Sequence, residues 1–382
     1  MVDIVVLGAG MMSHGLAHDL ARFGELETLT IADVNYGAAK IVANKVGKPA
    51  NAAKLDARDF KQLCNILENY QTAIAALPYH FNLAVTQACI KTGVNMVDLG
   101  GNTNIVHQQQ SLSPEAATKN ISIIPDLGLA PGMMTILTMG ICKQFDEIDT
   151  VKIRVGGLPQ TPVPPLGYQL TFSPEGLVNE YRERCWVIRN FRRTAVEPLA
   201  ELESIAFPAA LGELEAFSTS GGSSTLPSTL EGKVRELDYK TIRYSGHCEK
   251  MRLLSSMGLF DEDSIKVDNF KIRPRDILCQ LLLNKLPKNQ PDVVLARVTV
   301  TGRKANNENC TIENEIIDYF DPKTQLTAMM RTTAFPTSIV ALMITNGQIE
   351  DKGVVSAENV VDGAQMKKEL KKRNIIVKED IK

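Results

Sequence analysis

Aromatic residues are scarce, 5% of 382 with Trp186 the one tryptophan, which leaves little material for platforms that stack bases or sugars. Net charge is scarce too. Forty-two Lys and Arg stand against 44 Asp and Glu, a formal −2, so no global field draws the chain to nucleic acid or an anionic membrane. No stretch reaches the about 18 apolar residues of a membrane span. The opening MVDIVVLGAG lacks the basic start, long apolar run and cleavage site of a secretory leader, and a soluble, cytoplasmic protein is expected. Seven cysteines (Cys64, Cys89, Cys142, Cys185, Cys248, Cys279, Cys310) are odd in number and scattered, with no CxxC pair and no histidine at zinc-ligand spacing. They read as reduced structural thiols, with no metal site. Against these shortages stand 44% hydrophobic and 23% charged residues, enough to bury the cores of two or three domains.

The chain opens on DIVVLGAG, a β-branched run ending at glycines, and MMSHGLAHDLARFG follows with apolar residues at helical spacing. Strand LETLTIADV comes next, then a helix over 36–46, a short strand over 53–55, a helix over 60–68 and the apolar strand TAIAALP. Helix FNLAVTQACIKTG, strand NMVDLG, a polar stretch and strand NISIIPD complete the run. Alternating strands and helices predict an α/β, doubly wound parallel sheet over residues 1–130. Prolines 159, 162, 164 and 165 in GGLPQTPVPPLGY, with Pro174 beyond, mark a change of composition. TVKIRVGG, YKTIRYSG, VVLARVTVTG and ENEIIDYF then alternate as strands of a sheet exposed on one face. They predict a second, α+β domain over 131–335 with a mixed, largely antiparallel sheet. Residues 336–382, a small-residue helix, a charged helix and a short strand, are expected to pack back on the first domain. The lysine-rich MKKELKKR reads as a solvated helix face.

Gly8, Gly10 and Ser13 occupy the three positions of GxGxxG between strand and helix, and Asp33 ends the second strand twenty residues on. Gly8 permits the tight turn and Gly10 lets backbone N–H groups approach a pyrophosphate at the helix N-terminus. The turn Gly8, Ala9, Gly10, Met11, Met12 is therefore the expected dinucleotide cradle, with a plain structural turn as the alternative. Ser13 departs from the usual Gly or Ala, and Gly15 is expected to relieve crowding. An aspartate at 33 accepts ribose hydroxyls and repels a 2′-phosphate, which favours NAD over NADP. Asp56 either passes the adenine or caps the following helix. Leu77 and Pro78 close the fourth strand where the nicotinamide half belongs, since open α/β sheets bind ligands beyond their strand C-termini.

Beyond the glycines, VVLGAGMM, TIADV, VDLGGN, IIPDLGLAPGM, VGGLPQTPVPPLGY, FSPEGL, LEAFSTSGGSSTL and KTIRYSGHCEK together resemble the saccharopine dehydrogenase family, over nearly the whole chain. Within it the resemblance is nearest to the lysine 6-dehydrogenases. It implies an NAD-dependent oxidoreductase acting on CH–NH2 groups, here the ε-amine of L-lysine, giving 2-aminoadipate 6-semialdehyde, which cyclises to piperideine-6-carboxylate, and ammonia. Saccharopine reductases share much of this pattern but carry an acidic residue at the position of Ala130 and an arginine about where Gly222 stands. Saccharopine has two carboxylates on a glutamate arm and calls for that cation; its loss points to the smaller substrate. Glutamate-forming saccharopine dehydrogenase and a carboxyalkyl-polyamine dehydrogenase are the enzyme alternatives, and an NAD-binding regulatory protein on the same fold is the non-enzyme one. The resemblance also implies a homodimer or higher homo-oligomer in lysine degradation.

Within that frame Asp98 and Asp126 end strands on the cofactor edge, placed either to assist proton transfer or to cap the turns that follow. His247 is an acid or base for imine hydrolysis or a structural histidine. Arg243 is the candidate for the α-carboxylate, its alternative a sheet-surface arginine. Tyr168 and Gly157 match the family loop; Gly157 offers close backbone approach to a ligand, and Tyr168 has core packing as its rival. Thr219 and Ser223 in TSGGSST supply hydroxyls to the substrate. A Cys248/His247 dyad is set aside: hydride transfer needs no thiol, and the two are read as strand neighbours facing opposite ways.

Overall fold

The computed structural model describes residues 3–288, 290–305 and 308–382. Its first leg alternates strand and helix: β1 (Asp3–Leu7), α1 (Met11–Phe23), β2 (Thr28–Asp33), α2 (Tyr36–Val46), β3 (Ala50–Lys54), α3 (Phe60–Leu67), β4 (Thr72–Ala75), α4 (Asn82–Thr92) and β5 (Asn95–Asp98). The polar stretch after β5 folds as two helices, α5 (Thr103–Ser111) and α6 (Ser113–Thr118), before β6 (Ser122–Ile124) and α7 (Met133–Cys142). Asn102 starts α5 by accepting the Ile105 N–H, a capping signal in a segment with little apolar periodicity.

A long second leg follows: β7 (Glu147–Pro159), α8 (Pro174–Glu180), β8 (Cys185–Arg189), β9 (Arg192–Val196), β10 (Glu203–Ile205), β11 (Leu214–Ser218), α9 (Leu226–Leu230), β12 (Val234–Tyr244) and α10 (His247–Ser256). It ends with a hairpin of β13 (Ile265–Val267) and β14 (Phe270–Ile272), then α11 (Pro274–Lys285), β15 (Asp292–Arg303) and β16 (Asn309–Tyr319). The chain closes with α12 (Ala328–Thr345), β17 (Gly353–Val354), α13 (Ala357–Val360), α14 (Gly363–Lys372) and β18 (Lys378–Ile381).

These elements form two compact units, residues 1–140 with 330–375, and 141–329 with 376–382. The first holds a parallel seven-stranded sheet in the order β17-β6-β5-β4-β1-β2-β3, a doubly wound order whose direction reverses between β1 and β4. Ile4, Val5, Val6 and Leu7 are all 0% exposed, as a strand covered on both faces requires; each such burial contributes about 1.5–3 kcal/mol. The second unit holds a mixed, largely antiparallel sheet, β10-β11-β12-β7-β15-β16-β18, in which β12 and β7 are parallel. One core of this unit gathers Tyr168, Tyr181, Phe217, Cys248 and Met251 with residues of α8 and α11.

The division differs from the expected 1–130, 131–335 and 336–382. The tail does not all return to the first unit, because β18 pairs antiparallel with β16, Lys378 opposite Glu315. The lysine-rich helix α14 exposes Lys368, Lys371 and Lys372 but buries Met366 and Leu370. Arg373 at its end is not solvated: its Nε donates to Asp19 Oδ1 at 2.7 Å, with side chains 2% and 0% exposed, and its guanidinium lies over Phe23. No helix among the described residues is long and apolar enough to cross a membrane.

Candidate functional site

In the first unit the turn after β1 sits beside the end of β4, at the reversal of strand order. Gly8 has φ +107°, and a Cβ there would overlap the Ala76 carbonyl while touching Leu77, so glycine alone fits. Gly10 has open space around its would-be Cβ and heads α1, whose first turn receives no side-chain cap and holds no acidic residue. Met11 and Met12 begin that turn. Its N–H groups and dipole are thus oriented for an anion. Ser13 belongs to the turn: its Oγ donates to Gly8 O at 2.7 Å. Gly15 is where α1 meets α12, a Cβ there lying 2.8 Å from Ala334 Cβ and 3.0 Å from Met330 O. Asp33 accepts the Ala9 N–H through Oδ2 and the Asn35 N–H through Oδ1, each at 2.7 Å, which holds its carboxylate against the glycine turn. An open cradle, an uncapped helix start and a carboxylate at the end of β2 fit a nicotinamide dinucleotide. Leu77 lines this turn, and Pro78 is exposed just before the short turn Tyr79–Phe81.

One of the two readings of Asp56, the helix cap, needs correction. The α3 cap is Asp59, which accepts the Lys61 and Gln62 N–H groups, whereas Asp56 pairs side by side with Arg58 at 2.6 Å. That hydrogen-bonded pairing lowers its carboxyl to about 2.

Asp98 and Asp126 come together beyond β5 and β6. Asp98 Oδ1 accepts from Asn82 Nδ2 (3.0 Å), Gly100 N (2.8 Å) and Asp126 N (3.0 Å), and Oδ2 from Gln109 Nε2 (2.7 Å). It is 0% exposed. Burial raises its carboxyl overall, against the pull of the Asp126 and Gly100 N–H groups and the Gln109 amide, and this filled shell ties the 98–101 loop to residue 126. Asp126 has φ 60°, accepts the Gly101 N–H at 3.3 Å and is 7% exposed at the C-terminal end of β6. Gly100 is glycine because a Cβ would overlap Asp126 Oδ1.

The second unit gathers Arg243, Tyr168 and His247. Tyr239, Thr241 and Arg243 alternate along one face of β12, while Asp238 and Lys240 on the other face pair with Arg154 and Glu203. Arg243 is 4% exposed, so it is no surface arginine. Its Nε donates to Tyr181 Oη at 2.9 Å and its Nη1 to Ile242 O, and its carbon lies 4.7 Å from the Tyr168 ring centre. Tyr181 Oη is also 3.1 Å from His247 Nε2, and His247 Nδ1 is 3.0 Å from Leu166 O. Arginine can only donate, so Tyr181 turns its O–H to Nε2, and Nδ1–H donates to Leu166. His247 is therefore neutral and fully committed. Burial, then Arg243, lowers it to about 3, which corrects its acid–base role: it is the far end of a relay that aims Arg243.

His247 and Cys248 begin helix α10, not a strand. Glu215 caps that start, accepting the Gly246 and Cys248 N–H groups. The dyad fails for another reason: the Cys248 thiol points to Leu199 O and burial raises it to about 11. All seven cysteines are free and buried, and no group of three or more His, Cys, Asp or Glu among the described residues could hold a metal. At Gly157 a Cβ would overlap Met329 Cε, so its bareness accommodates a side chain of this protein. Thr219 is buried with its Oγ1 2.7 Å from Thr241 Oγ1. Ser223 is buried and its carbonyl accepts the Leu226 N–H.

Three residues of this site escape sequence reasoning. Tyr181 and Glu180, at the end of α8, follow the FSPEGL segment, but nothing local shows that they meet Arg243 from 62 positions away. Glu180 Oε2 lies 3.8 Å from Arg243 Nη2 with 30% of its side chain exposed. Burial pushes this carboxyl up to about 7 against the pull of Arg243, and the exposed part lets water temper the shift. Tyr239 is the third: its ring fills the space that a Cβ at Gly222 would need.

Comparison with known proteins adds to this geometry. The model of the saccharopine dehydrogenase NADP binding domain matches residues 4–124, and that of the saccharopine dehydrogenase C-terminal domain matches 128–376. Mitochondrial alpha-aminoadipic semialdehyde synthase of Bos taurus is 26% identical over 73% of this chain, which spans 31% of that protein. Saccharopine dehydrogenase [NADP(+), L-glutamate-forming] of Saccharomyces cerevisiae is 24% identical over 73% of the chain, covering 63% of the yeast protein. Carboxyaminopropylagmatine dehydrogenase of Synechocystis is 21% identical over 94% of the chain and 93% of its own length. The fold is similar to apo saccharopine dehydrogenase (L-Glu forming) from Saccharomyces cerevisiae, TM-score 0.82 at 20% identity over all of both chains. It is also similar to homospermidine synthase from Legionella pneumophila in complex with NAD, TM-score 0.70 at 13% identity over 100% of this chain and 91% of that one. With both family models matching in chain order over nearly its whole length, the chain belongs to the saccharopine dehydrogenase family.

Proposed function

We propose that this chain is an NAD-dependent oxidoreductase that removes the ε-amine of L-lysine. L-lysine, NAD⁺ and water give 2-aminoadipate 6-semialdehyde, ammonia, NADH and a proton, and the aldehyde closes on its own α-amine, with loss of water, to piperideine-6-carboxylate. The observation that carries the choice of substrate is the packing of Tyr239 against Gly222. Saccharopine reductases resemble this chain but carry an arginine near that position, and here the Tyr239 ring occupies the space that a side chain at 222 would need. Arg243 remains, buried, aimed by Tyr181 and suited to a single α-carboxylate.

The nicotinamide, when bound, supplies the hydride acceptor. Asp33 sets the preference for NAD, since its carboxylate at the glycine turn repels a 2′-phosphate. The ε-amine has an ordinary pKa of about 10.4 and must lose its proton before hydride leaves its carbon. Asp98 and His247 are committed to structural hydrogen bonds, and the proposal gives the proton to Asp126 for its place just beyond the C-terminal end of β6, where open α/β sheets bind their ligands. A homodimer or higher oligomer belongs to the same reading, supported by the exposure of Met257 (68%) and Phe270 (70%) in the second unit, and is checked by light scattering. Following reduced-cofactor absorbance with NAD⁺ or NADP⁺, and with L-lysine or saccharopine, tests the function. Reduction of NAD⁺ by lysine is expected, with Asp33→Ala raising the KM for NAD⁺. Turnover of saccharopine alone, or cofactor binding without turnover of any amine, overturns it.

A further inference from the structure

We propose that Glu180 and Arg243 together form a receptor for the free α-amino-acid head of the substrate, Glu180 taking the α-ammonium and Arg243 the α-carboxylate. Arg243 donates from Nε and Nη1, but Nη2 makes no hydrogen bond among the described residues; its nearest anion is Glu180 Oε2 at 3.8 Å. Neither Glu180 carboxylate oxygen accepts a hydrogen bond among the described residues. A guanidinium and carboxylate that serve only each other close to about 2.7–2.9 Å. These two stand apart, each with unused capacity, one of them 4% exposed.

The guanidinium is held where it stands, and so is the backbone that carries Glu180. The Tyr181–His247–Leu166 relay fixes the guanidinium plane, the Tyr168 ring covers it, and the Glu180 carbonyl accepts the Ser220 N–H, tying the end of α8 to the 219–225 loop. The ligand complementary to opposite charges at this spacing is a zwitterion. By covalent geometry the ammonium nitrogen and nearest carboxylate oxygen of a free α-amino acid lie about 2.7 Å apart. One lying alongside the pair, its ammonium against Glu180 and its carboxylate against Nη2, gives each charge an opposite partner. Burial holds the free Glu180 carboxyl up at about 7 against the pull of Arg243, and an ammonium placed beside it adds a second charge that favours the ionised form.

The inference rests on the proposed reading in that the substrate is an amino acid, and its test separates the two. KM and kcat are measured for L-lysine and for 6-aminohexanoate, which lacks only the α-amine, with wild type, Glu180→Gln and Glu180→Asp, each checked for an unchanged melting temperature. Glu180→Gln is expected to raise the KM for lysine about 10- to 100-fold, to change kcat less than about twofold, and to leave the KM for 6-aminohexanoate unchanged. Glu180→Asp, which keeps the charge, should recover part of the loss. Equal effects on both compounds, a fall confined to kcat, or no effect overturns the assignment. If saccharopine is turned over and lysine is not, the reading of lysine as substrate fails. The same split is then measured with saccharopine and N-(5-carboxypentyl)-L-glutamate. If nothing is turned over, calorimetric titration with lysine and 6-aminohexanoate decides, and absence of a preference for lysine overturns the proposal.

Discussion

His247 has a folded-state pKa of about 3 against an ordinary 6.5, and the consequence for stability can be worked through. Its folded pKa is depressed, so between pH 3 and 6.5 the unfolded chain binds the proton and the folded chain does not. The contribution is fully present above about pH 6.5 and is lost as pH falls toward the folded value. The residue is 1% exposed, so solvent screening discounts little. With about 1.4 kcal/mol per pH unit, wild type should lose about 2 kcal/mol between pH 7.5 and 5 through this group. The figure changes little if the folded pKa is a unit higher. Replacing His247 by Gln removes the titration while keeping an acceptor for Tyr181. Urea unfolding of both proteins at half-unit steps across pH 5–7.5 reads the difference, which isolates His247 from carboxyls such as Asp292, raised to about 6 by burial. Wild type should lie above the variant at pH 7.5 and converge on it by about 2 kcal/mol at pH 5. Parallel curves would refute the assignment of a buried neutral histidine, as would loss of a pH-rate limb near 6.5 in the variant.

Two further outcomes follow from packing. Arg373→Met leaves the Asp19 carboxylate buried without its cation and should cost about 3–5 kcal/mol in urea unfolding; adding Asp19→Asn should restore most of it, and a loss below 1 kcal/mol would contradict the burial of the pair. Gly222→Ala forces a methyl into the Tyr239 ring and should cost about 1–3 kcal/mol; with Tyr239→Leu the double variant should be less unstable than the sum of the singles, and strict additivity would show that the two residues do not touch.

The parts of this protein legible in sequence are those where local chemistry suffices. The apolar run Ile4–Leu7, the glycines at 8 and 10 and the carboxylate at 33 specify strand, turn and helix through backbone sterics and burial acting within a few residues. The β-rich second leg announced its sheet by alternation in the same way. The tail shows where that ends: a four-residue strand carries no record of its partner, and β18 joins β16 in the second unit. Ser13 reads in sequence as a departure from the usual Gly or Ala, and in the fold its hydroxyl closes on Gly8 O. The chemistry of Asp98, His247 and Glu180 lay furthest from the sequence. An aspartate or histidine has one ordinary pKa on paper, but burial, charge and hydrogen bonds from distant segments set its state in the fold. Asp98 is filled by donors from residues 82, 100, 109 and 126, and His247 is silenced by Tyr181 and Leu166. Residue identity set which groups could carry charge; only the tertiary contacts decided which of them stay free to use it.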